Sequence, residues 1–293
     1  MRFLRAAAVT LLALAVACCG LTLYVGERLT HPSRVPIATS PAAWGLAYRN
    51  VSFPARIDHT PLSGWWIPAA AARGTIVLAS GYAENRLTPP VPALAVAAAL
   101  HAARYNVLMF DFRASGRSGG TLVTVGGLEQ RDVEGAAAFA GQWSSVPVGV
   151  LGWSMGASTA LLAAEHDPAI AAVVADSPFA ALTTYLRGYL PIWTHLPAFP
   201  FTPLFFWLVP PIIGVNPQEA DPLSAMASLA SRPVLLIAGT ADHTIPPTNA
   251  ERLAAADPTA QIWLVAGAGH IRAYHTDPAA YMRHVLALFA RMP

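Results

Sequence analysis

A serine flanked by two closely spaced glycines is the residue best placed for chemistry in this sequence. The pentapeptide Gly152-Trp153-Ser154-Met155-Gly156 follows an apolar run and precedes an Ala/Leu-rich segment. This order predicts a strand, a sharp turn and a helix, with Ser154 at the turn. Glycines two positions before and after the serine permit a strained turn that exposes its hydroxyl, and the following helix N-terminus favours developing negative charge. We therefore predict that Ser154 is a nucleophile; the alternative is an ordinary glycine-rich turn.

A nucleophilic serine needs an imidazole to accept its proton and a carboxylate to orient that imidazole. Asp242 and His270 each follow an apolar run that predicts a late strand. The carboxyl ends of parallel strands meet at one edge of a sheet, so these side chains are expected near Ser154. The sequence predicts the triad Ser154, Asp242 and His270, in the chain order serine, acid, histidine. Asp176, at the end of another predicted strand, is the alternative acid.

The tetrahedral intermediate of such a reaction needs two donors for its negative oxygen. The backbone N–H of Met155, next to the serine, is one predicted donor. The N–H of Tyr82, in the loop after the apolar run of residues 75–80, is the other, and Gly81 lets that backbone approach closely. Three further histidines are interpreted as structural or surface residues: His166, His243 and His275.

The elements that must position these residues alternate between strands and helices from residue 48 onward. Right-handed crossovers then require an α/β fold, a mostly parallel sheet with helices on both faces. We divide this core into residues 48–178 and 224–293. The aromatic, proline-rich residues 179–223 are too long for a simple connection and predict a small helical cap insertion. Two alternatives are a loop packed on the core and contact of residues 199–213 with a membrane surface.

The N-terminus contains an uncharged apolar stretch long enough to span a bilayer as a helix. We predict a membrane anchor or signal segment over residues 1–26 and a proline-containing linker over residues 27–47. A retained anchor places the catalytic domain outside the cytoplasm in a single-pass protein of the cell membrane. Cleavage after Ala15-Val16-Ala17 would instead release a secreted or periplasmic protein. A lipoprotein signal at Cys18 and a buried helix are further alternatives.

Composition narrows the function classes. The chain has 293 residues, of which 55% are hydrophobic and 12% charged, with a net charge of +2. This balance argues against disorder and gives no support for nucleic-acid binding. Cys18 and Cys19 are the only cysteines and both lie in the apolar N-terminal run. The catalytic body therefore contains no disulfide, thiolate metal site or cysteine nucleophile.

Four segments together resemble the α/β-hydrolase superfamily over about residues 48–290. They are the opening hairpin from Asp58 to Pro68, the loop Asp111-Phe112-Arg113-Ala114-Ser115-Gly116-Arg117-Ser118, the serine turn, and Gly239-Thr240-Ala241-Asp242 with Gly269-His270. The chain is similar to membrane-anchored bacterial serine hydrolases related to the prolyl-oligopeptidase and monoacylglycerol-lipase branches. The resemblance implies no metal and no organic cofactor. Ser80-Gly81 stands where that family usually has His-Gly, so support of this loop is expected to differ.

The predicted function is hydrolysis of carboxylic esters, acyl or lipid esters in particular, through an acyl-enzyme. Its partners would be a small-molecule or lipid ester and the membrane that holds the N-terminal helix. The same residues could cleave amides, so an amidase or peptidase is the alternative enzyme. A membrane-tethered binding protein that keeps the fold without catalysis is the alternative of a different class.

Overall fold

A computed structural model describes all residues from 1 to 293, and an eight-stranded sheet forms its centre. The strands are β1 (Arg49–Pro54), β2 (Pro61–Ile67), β3 (Gly74–Ala79), β4 (Tyr105–Phe110), β5 (Val148–Trp153), β6 (Ile170–Asp176), β7 (Val234–Gly239) and β8 (Gln261–Val265). Their spatial order is β1-β2-β4-β3-β5-β6-β7-β8. β2 is antiparallel to β1 and β4, and the remaining pairs are parallel. The predicted fold class is confirmed.

Ten helices accompany the sheet. They are α1 (Arg2–Thr30), α2 (Ala93–Ala102), α3 (Glu129–Trp143), α4 (Met155–His166), α5 (Leu182–Thr194), α6 (Ala198–Ile213), α7 (Pro222–Leu229), α8 (Thr248–Ala256), α9 (Ala273–Thr276) and α10 (Pro278–Phe289). One apolar core lies between the sheet and α3, α4, α7 and α8, and a second lies between the opposite face and α2 and α10. Strands β3, β4, β5 and β7 are buried along their whole length because helices cover both faces.

Helices α5 and α6 lie between β6 and β7, inside the predicted cap insertion of residues 179–223. The predicted end of that insertion falls in the first turn of α7, which begins at Pro222. Since α7 packs beside α4 and α8, it belongs to a helical layer of the core. The domain boundaries themselves stay a prediction.

The N-terminal helix runs four residues beyond its predicted end at residue 26. Polar residues after Gly26 do not stop α1, and the helix ends only where Pro32 restricts the conformation of His31. Thr22, Gly26 and Thr30 recur one turn apart and are buried, and α1 packs there against α6. The last turn of α1 is therefore part of the folded body.

The predicted linker of residues 27–47 is also held in place after α1 ends. The Arg34 guanidinium donates to the backbone carbonyl oxygens of Ser115, Gly116, Ser118 and Gly120 at 2.5–3.1 Å. A short 3-10 helix, Pro41–Trp44, follows. One arginine thus satisfies several carbonyl groups of the loop after β4 and fixes this part of the predicted linker to the core.

Candidate active site

Ser154 occupies a strained turn between β5 and α4, with φ 54° and ψ −118°. Such backbone conformations are costly for a residue with a side chain and persist only when the surroundings enforce them. A Cβ at Gly152 would collide with the backbone of Gly156, and one at Gly156 would collide with the carbonyl oxygens where β3 ends. The Ser154 N–H donates to the Asp176 carbonyl oxygen at 2.8 Å. Close packing of the two glycines and this hydrogen bond together hold the turn.

The structure brings the hydroxyl, the imidazole and the carboxylate of the predicted triad into contact. Nε2 of His270 lies 2.9 Å from Oγ of Ser154, and Nδ1 lies 2.8 Å from Oδ2 of Asp242. An ionised carboxylate only accepts hydrogen bonds, so the neutral ring donates from Nδ1 and leaves Nε2 to accept the serine proton. The side chain of Asp242 is fully buried, while that of His270 is 21% exposed. This geometry suits general-base removal of a proton from Ser154.

Asp242 follows β7 and is fixed by the turn in which it lies. Its second oxygen, Oδ1, accepts from the backbone N–H groups of Thr244 and Ile245, each at 2.9 Å. These bonds occupy Oδ1 and leave Oδ2 for the imidazole.

Asp176, the alternative acid, lies at the end of β6 and is fully buried, but it makes no hydrogen bond to His270. Burial raises its pKa to about 7, although the neighbouring Tyr281 and Ser177 side chains oppose this. The Ser177 hydroxyl donates to Asp176 and accepts from the N–H of Ile271, which follows His270. Asp176 therefore supports the segment that carries the imidazole.

The other histidines lie apart from this set. His243 and His275 are exposed. The ring of His166 contacts the carbonyl oxygen of Leu162 within its own helix, at 3.1 Å. None of the three is hydrogen-bonded to Ser154 or Asp242.

The two predicted oxyanion donors come from segments that pack against each other. Met155 begins α4, where the first N–H groups of a helix have no partner within it. Tyr82 lies in the loop after β3, and the close approach of Gly156 to the Ser80 carbonyl brings this loop to the start of α4. The oxyanion role of both N–H groups stays a prediction.

Glu84 is a residue of this site that sequence reasoning missed, because a single glutamate in a loop forms no distinctive pattern. Its carboxylate accepts from the Gly81 N–H at 3.3 Å, within the candidate oxyanion loop. Burial raises the pKa of Glu84 to about 7, opposed by this hydrogen bond and by His270 when its ring is protonated. Glu84 thus supports the loop in which Ser80 stands in place of the family's usual histidine.

Three ion pairs of two arginines, Arg86 and Arg113, fix the loops after β3 and β4. Arg86, four residues after Tyr82, pairs with Asp111 at 2.5 Å, and both side chains are almost fully buried. Arg113 pairs with Asp132 at 2.6 Å and with Asp58 at 2.9 Å. The motif Asp111-Phe112-Arg113 therefore connects the loop after β4 to the loop after β3 and to α3.

A mostly parallel sheet with a strained serine after β5, a carboxylate after β7 and a histidine after β8 defines an α/β hydrolase. Residues 70–224 match the family described as serine aminopeptidase, S33 (Hydrolase_4), and the chain belongs to this family.

Three relatives illustrate the similarity. The uncharacterized protein YqkD of Bacillus subtilis is 32% identical over 153 residues, which are 51% of this chain and only 50% of YqkD. The uncharacterized protein YfhR of Escherichia coli K12 is 30% identical over 223 residues, covering 73% of this chain and 69% of YfhR. The structure of the Pyrococcus furiosus esterase Pf2001 superposes with a TM-score of 0.72 at 28% identity, covering 89% of this chain and 99% of the esterase.

Proposed function

We propose that this α/β hydrolase is a serine hydrolase that cleaves carboxylic esters, acyl or lipid esters in particular, through Ser154, His270 and Asp242. The observation that carries the proposal is the continuous pair of hydrogen bonds from Ser154 Oγ to His270 Nε2 and from His270 Nδ1 to Asp242 Oδ2. In a triad of this kind the base activates the nucleophile and the carboxylate orients the base.

In the first half-reaction, Oγ of Ser154 attacks the ester carbonyl carbon while Nε2 of His270 takes the hydroxyl proton. The carbonyl oxygen becomes negative and receives hydrogen bonds from the N–H groups of Met155 and Tyr82. The Asp242 carboxylate, 2.8 Å from Nδ1, stabilises the imidazolium. Collapse of the intermediate breaks the bond to the alcohol oxygen. The alcohol departs with the proton from His270, and the acyl group stays bound to Oγ of Ser154.

In the second half-reaction, a water molecule attacks the acyl carbon and gives one proton to Nε2 of His270. The bond to Oγ then breaks, Ser154 recovers that proton and the carboxylic acid leaves. Both halves use one base in alternate roles, so the ring must stay fixed between its two partners. The hydrogen bonds that hold Asp242 Oδ1 to Thr244 and Ile245 support this requirement.

The similarity to esterase Pf2001 supports an ester rather than an amide substrate, because it extends over 89% of this chain at 28% identity. The test is turnover of p-nitrophenyl esters by the full chain and by Ser154→Ala. We expect the variant to lose turnover by several orders of magnitude, since the nucleophile is removed. A Ser154→Ala enzyme with undiminished ester turnover would falsify the assignment.

An amidase or peptidase of the same mechanism is the second candidate, favoured by the family description serine aminopeptidase. The same triad attacks amide carbonyls, but the leaving amine must then be protonated by His270. Parallel measurement of kcat/KM on short acyl esters and on aminoacyl amides separates the two functions. Higher kcat/KM for the amides would replace the ester proposal.

We also propose that α1 anchors the protein in the cell membrane as a single span, with the catalytic domain outside the cytoplasm. The helix is long and apolar enough to cross a bilayer, a property that a cleaved signal sequence shares. Arg2 and Arg5 precede the apolar stretch, and basic residues favour the cytoplasmic side. Secretion or release to the periplasm after cleavage is the competing outcome.

A further inference from the structure

An apolar cleft lies between the end of α1, residues 123–125 and the helices α5 and α6. It encloses about 580 Å³ of free space, including its opening to solvent. Eleven of its fifteen lining residues are apolar and none is charged. A charged ligand group would lose its hydration there without gaining a partner, whereas a hydrocarbon chain would lose only unfavourable contact with water. The lining therefore fits an aliphatic chain.

Tyr82 connects this cleft to the candidate active site. Its side chain lines the cleft, and its backbone belongs to the loop held against the start of α4. Its hydroxyl donates to the Leu29 carbonyl oxygen at 2.6 Å, and its ring stacks on Trp193 of α5 at 6.5 Å between centroids. One residue thus contacts α1, the cap and the candidate oxyanion loop. The cleft therefore begins at the residue whose backbone N–H is the predicted oxyanion donor.

The last turn of α1 forms one side of the cleft. Leu29 and Thr30 line it together with Val209 of α6. Gly26, one turn earlier, permits the close approach of the two helices, because a Cβ there would overlap the Val209 side chain. The width of the cleft therefore depends on how α1 packs at Gly26.

We propose that this cleft binds the acyl chain of the ester substrate and that α1 is one of its walls. The inference rests on the proposed function, because it assigns a site to one part of that reaction's substrate. It makes the N-terminal helix a part of the substrate site as well as an anchor. The enzyme would then prefer esters with chains long enough to enter the cleft, and it would need α1 for that preference.

The first experiment narrows the cleft from the cap side. Leu186→Trp on α5 places a large ring at a position that lines the cleft. Ile192→Trp places the same ring at an exposed position of the same helix. For the full chain in detergent, the ratio of kcat/KM on p-nitrophenyl decanoate to that on p-nitrophenyl acetate is measured. Loss of burial for two methylene groups lowers this ratio by roughly tenfold in Leu186→Trp. Ile192→Trp should keep the ratio of the unmodified protein.

The second experiment displaces the α1 wall. Gly26→Leu forces α1 away from Val209, whereas Gly20→Leu adds the same side chain to the same helix where no atom lies within 4 Å. We expect the decanoate-to-acetate ratio to fall in Gly26→Leu and to stay constant in Gly20→Leu. Both rates come from one preparation, so the ratio does not depend on the folded fraction. Gly26→Ala provides a milder change at the same contact, with a fall in the same direction.

Unchanged ratios in Leu186→Trp and Gly26→Leu would overturn the acyl site. A fall in Leu186→Trp with identical ratios in the two α1 variants would overturn the role given to α1. Failure of the proposed function is distinct from both, because it appears as acetate hydrolysis that persists in Ser154→Ala. If acetate turnover requires Ser154 but the decanoate-to-acetate ratio is the same in all cleft variants, the protein is an ester hydrolase and the proposed acyl site is wrong.

Discussion

The Asp242 carboxylate divides its two oxygens between different tasks. Oδ1 accepts two backbone N–H groups of its own turn, and Oδ2 contacts the His270 ring. The first task positions the side chain, and the second selects the ring tautomer that leaves Nε2 free to accept a proton. The two tasks can be separated by a substitution that preserves shape and removes charge.

Asp242→Asn should keep the fold and lose most of the activity. The amide oxygen can still accept the Thr244 and Ile245 N–H groups, but the amide nitrogen donates to His270 and favours the wrong tautomer. We expect kcat on a p-nitrophenyl ester to fall on the order of 10³–10⁴-fold, with little change in Tm. Asp176→Asn serves as the comparison and should reduce kcat far less. Equal losses in the two variants would contradict the assignment of Asp242.

Glu84 gives the protein a pH-dependent stability. Burial raises its pKa from 4.5 to about 7, so the folded state binds this proton more tightly than the unfolded state. Stability from this group is therefore complete below about pH 4.5 and is lost as the pH rises to about 7. Glu84→Gln should remove this loss while its amide oxygen still accepts from Gly81. Urea unfolding measures the decrease in the free energy of unfolding from pH 5 to pH 8, which should be smaller in Glu84→Gln than in the unmodified protein. An identical decrease in the two proteins would exclude this role.

At the scale of elements, the serine turn depends on backbone-to-backbone packing. Gly152 and Gly156, two positions either side of Ser154, have no room for a Cβ, because α4 starts directly against the ends of β3 and β5. A strained serine is stable only while this contact holds. The chemistry and the packing of the sheet are therefore coupled through two glycines.

Gly156→Ala and Gly141→Ala should affect stability in opposite directions. The first inserts a methyl group against the carbonyl oxygens of Ala79 and Ser80, and overpacking of this kind costs about 1–3 kcal/mol. The second adds the same group on α3 where no atom lies within 4 Å, and replacing a helical glycine by alanine stabilises by about 0.5–1 kcal/mol. Denaturant midpoints measure both changes. Equal midpoints for the two variants would mean that the serine turn can relax around an added side chain.

At the scale of the whole molecule, α1 divides into a free part and a bound part. Residues 2–21 are exposed or nearly so, whereas from Thr22 onward one face, formed by Thr22, Gly26 and Thr30, is buried where α1 packs against α6. The free part has about 20 residues, or roughly 30 Å of helix, close to the hydrocarbon thickness of a bilayer. A spanning α1 would then place α6 at the membrane surface.

A retained anchor makes a simple prediction about the protein in cells. The full chain should remain in the membrane pellet after alkaline carbonate extraction, and its intact mass should include residues 1–30. Retention in the pellet follows from the exposed apolar residues before Cys18, which cleavage after Ala17 would remove. A soluble protein whose mass begins at Cys18 would contradict the anchor.

The sheet and the positions of Ser154, Asp242 and His270 could be predicted because each depends on local sequence. Apolar runs mark buried strands, and the residues after them must lie at one edge of a parallel sheet. The same reasoning could not place Glu84, whose properties come from burial. It also missed Arg34, which binds carbonyl groups of a loop about eighty residues away, and the packing of Gly26 on Val209. These contacts depend on long-range packing, which no periodicity encodes.

The central claim, that Ser154 is the nucleophile, is tested most directly by finding the residue that a fluorophosphonate probe modifies. The full chain is labelled, digested and analysed by peptide mass spectrometry, with Ser154→Ala treated in parallel. The account predicts one adduct, on Ser154, and no labelling of the variant. An adduct on another residue, or labelling of Ser154→Ala at the rate of the unmodified protein, would contradict it.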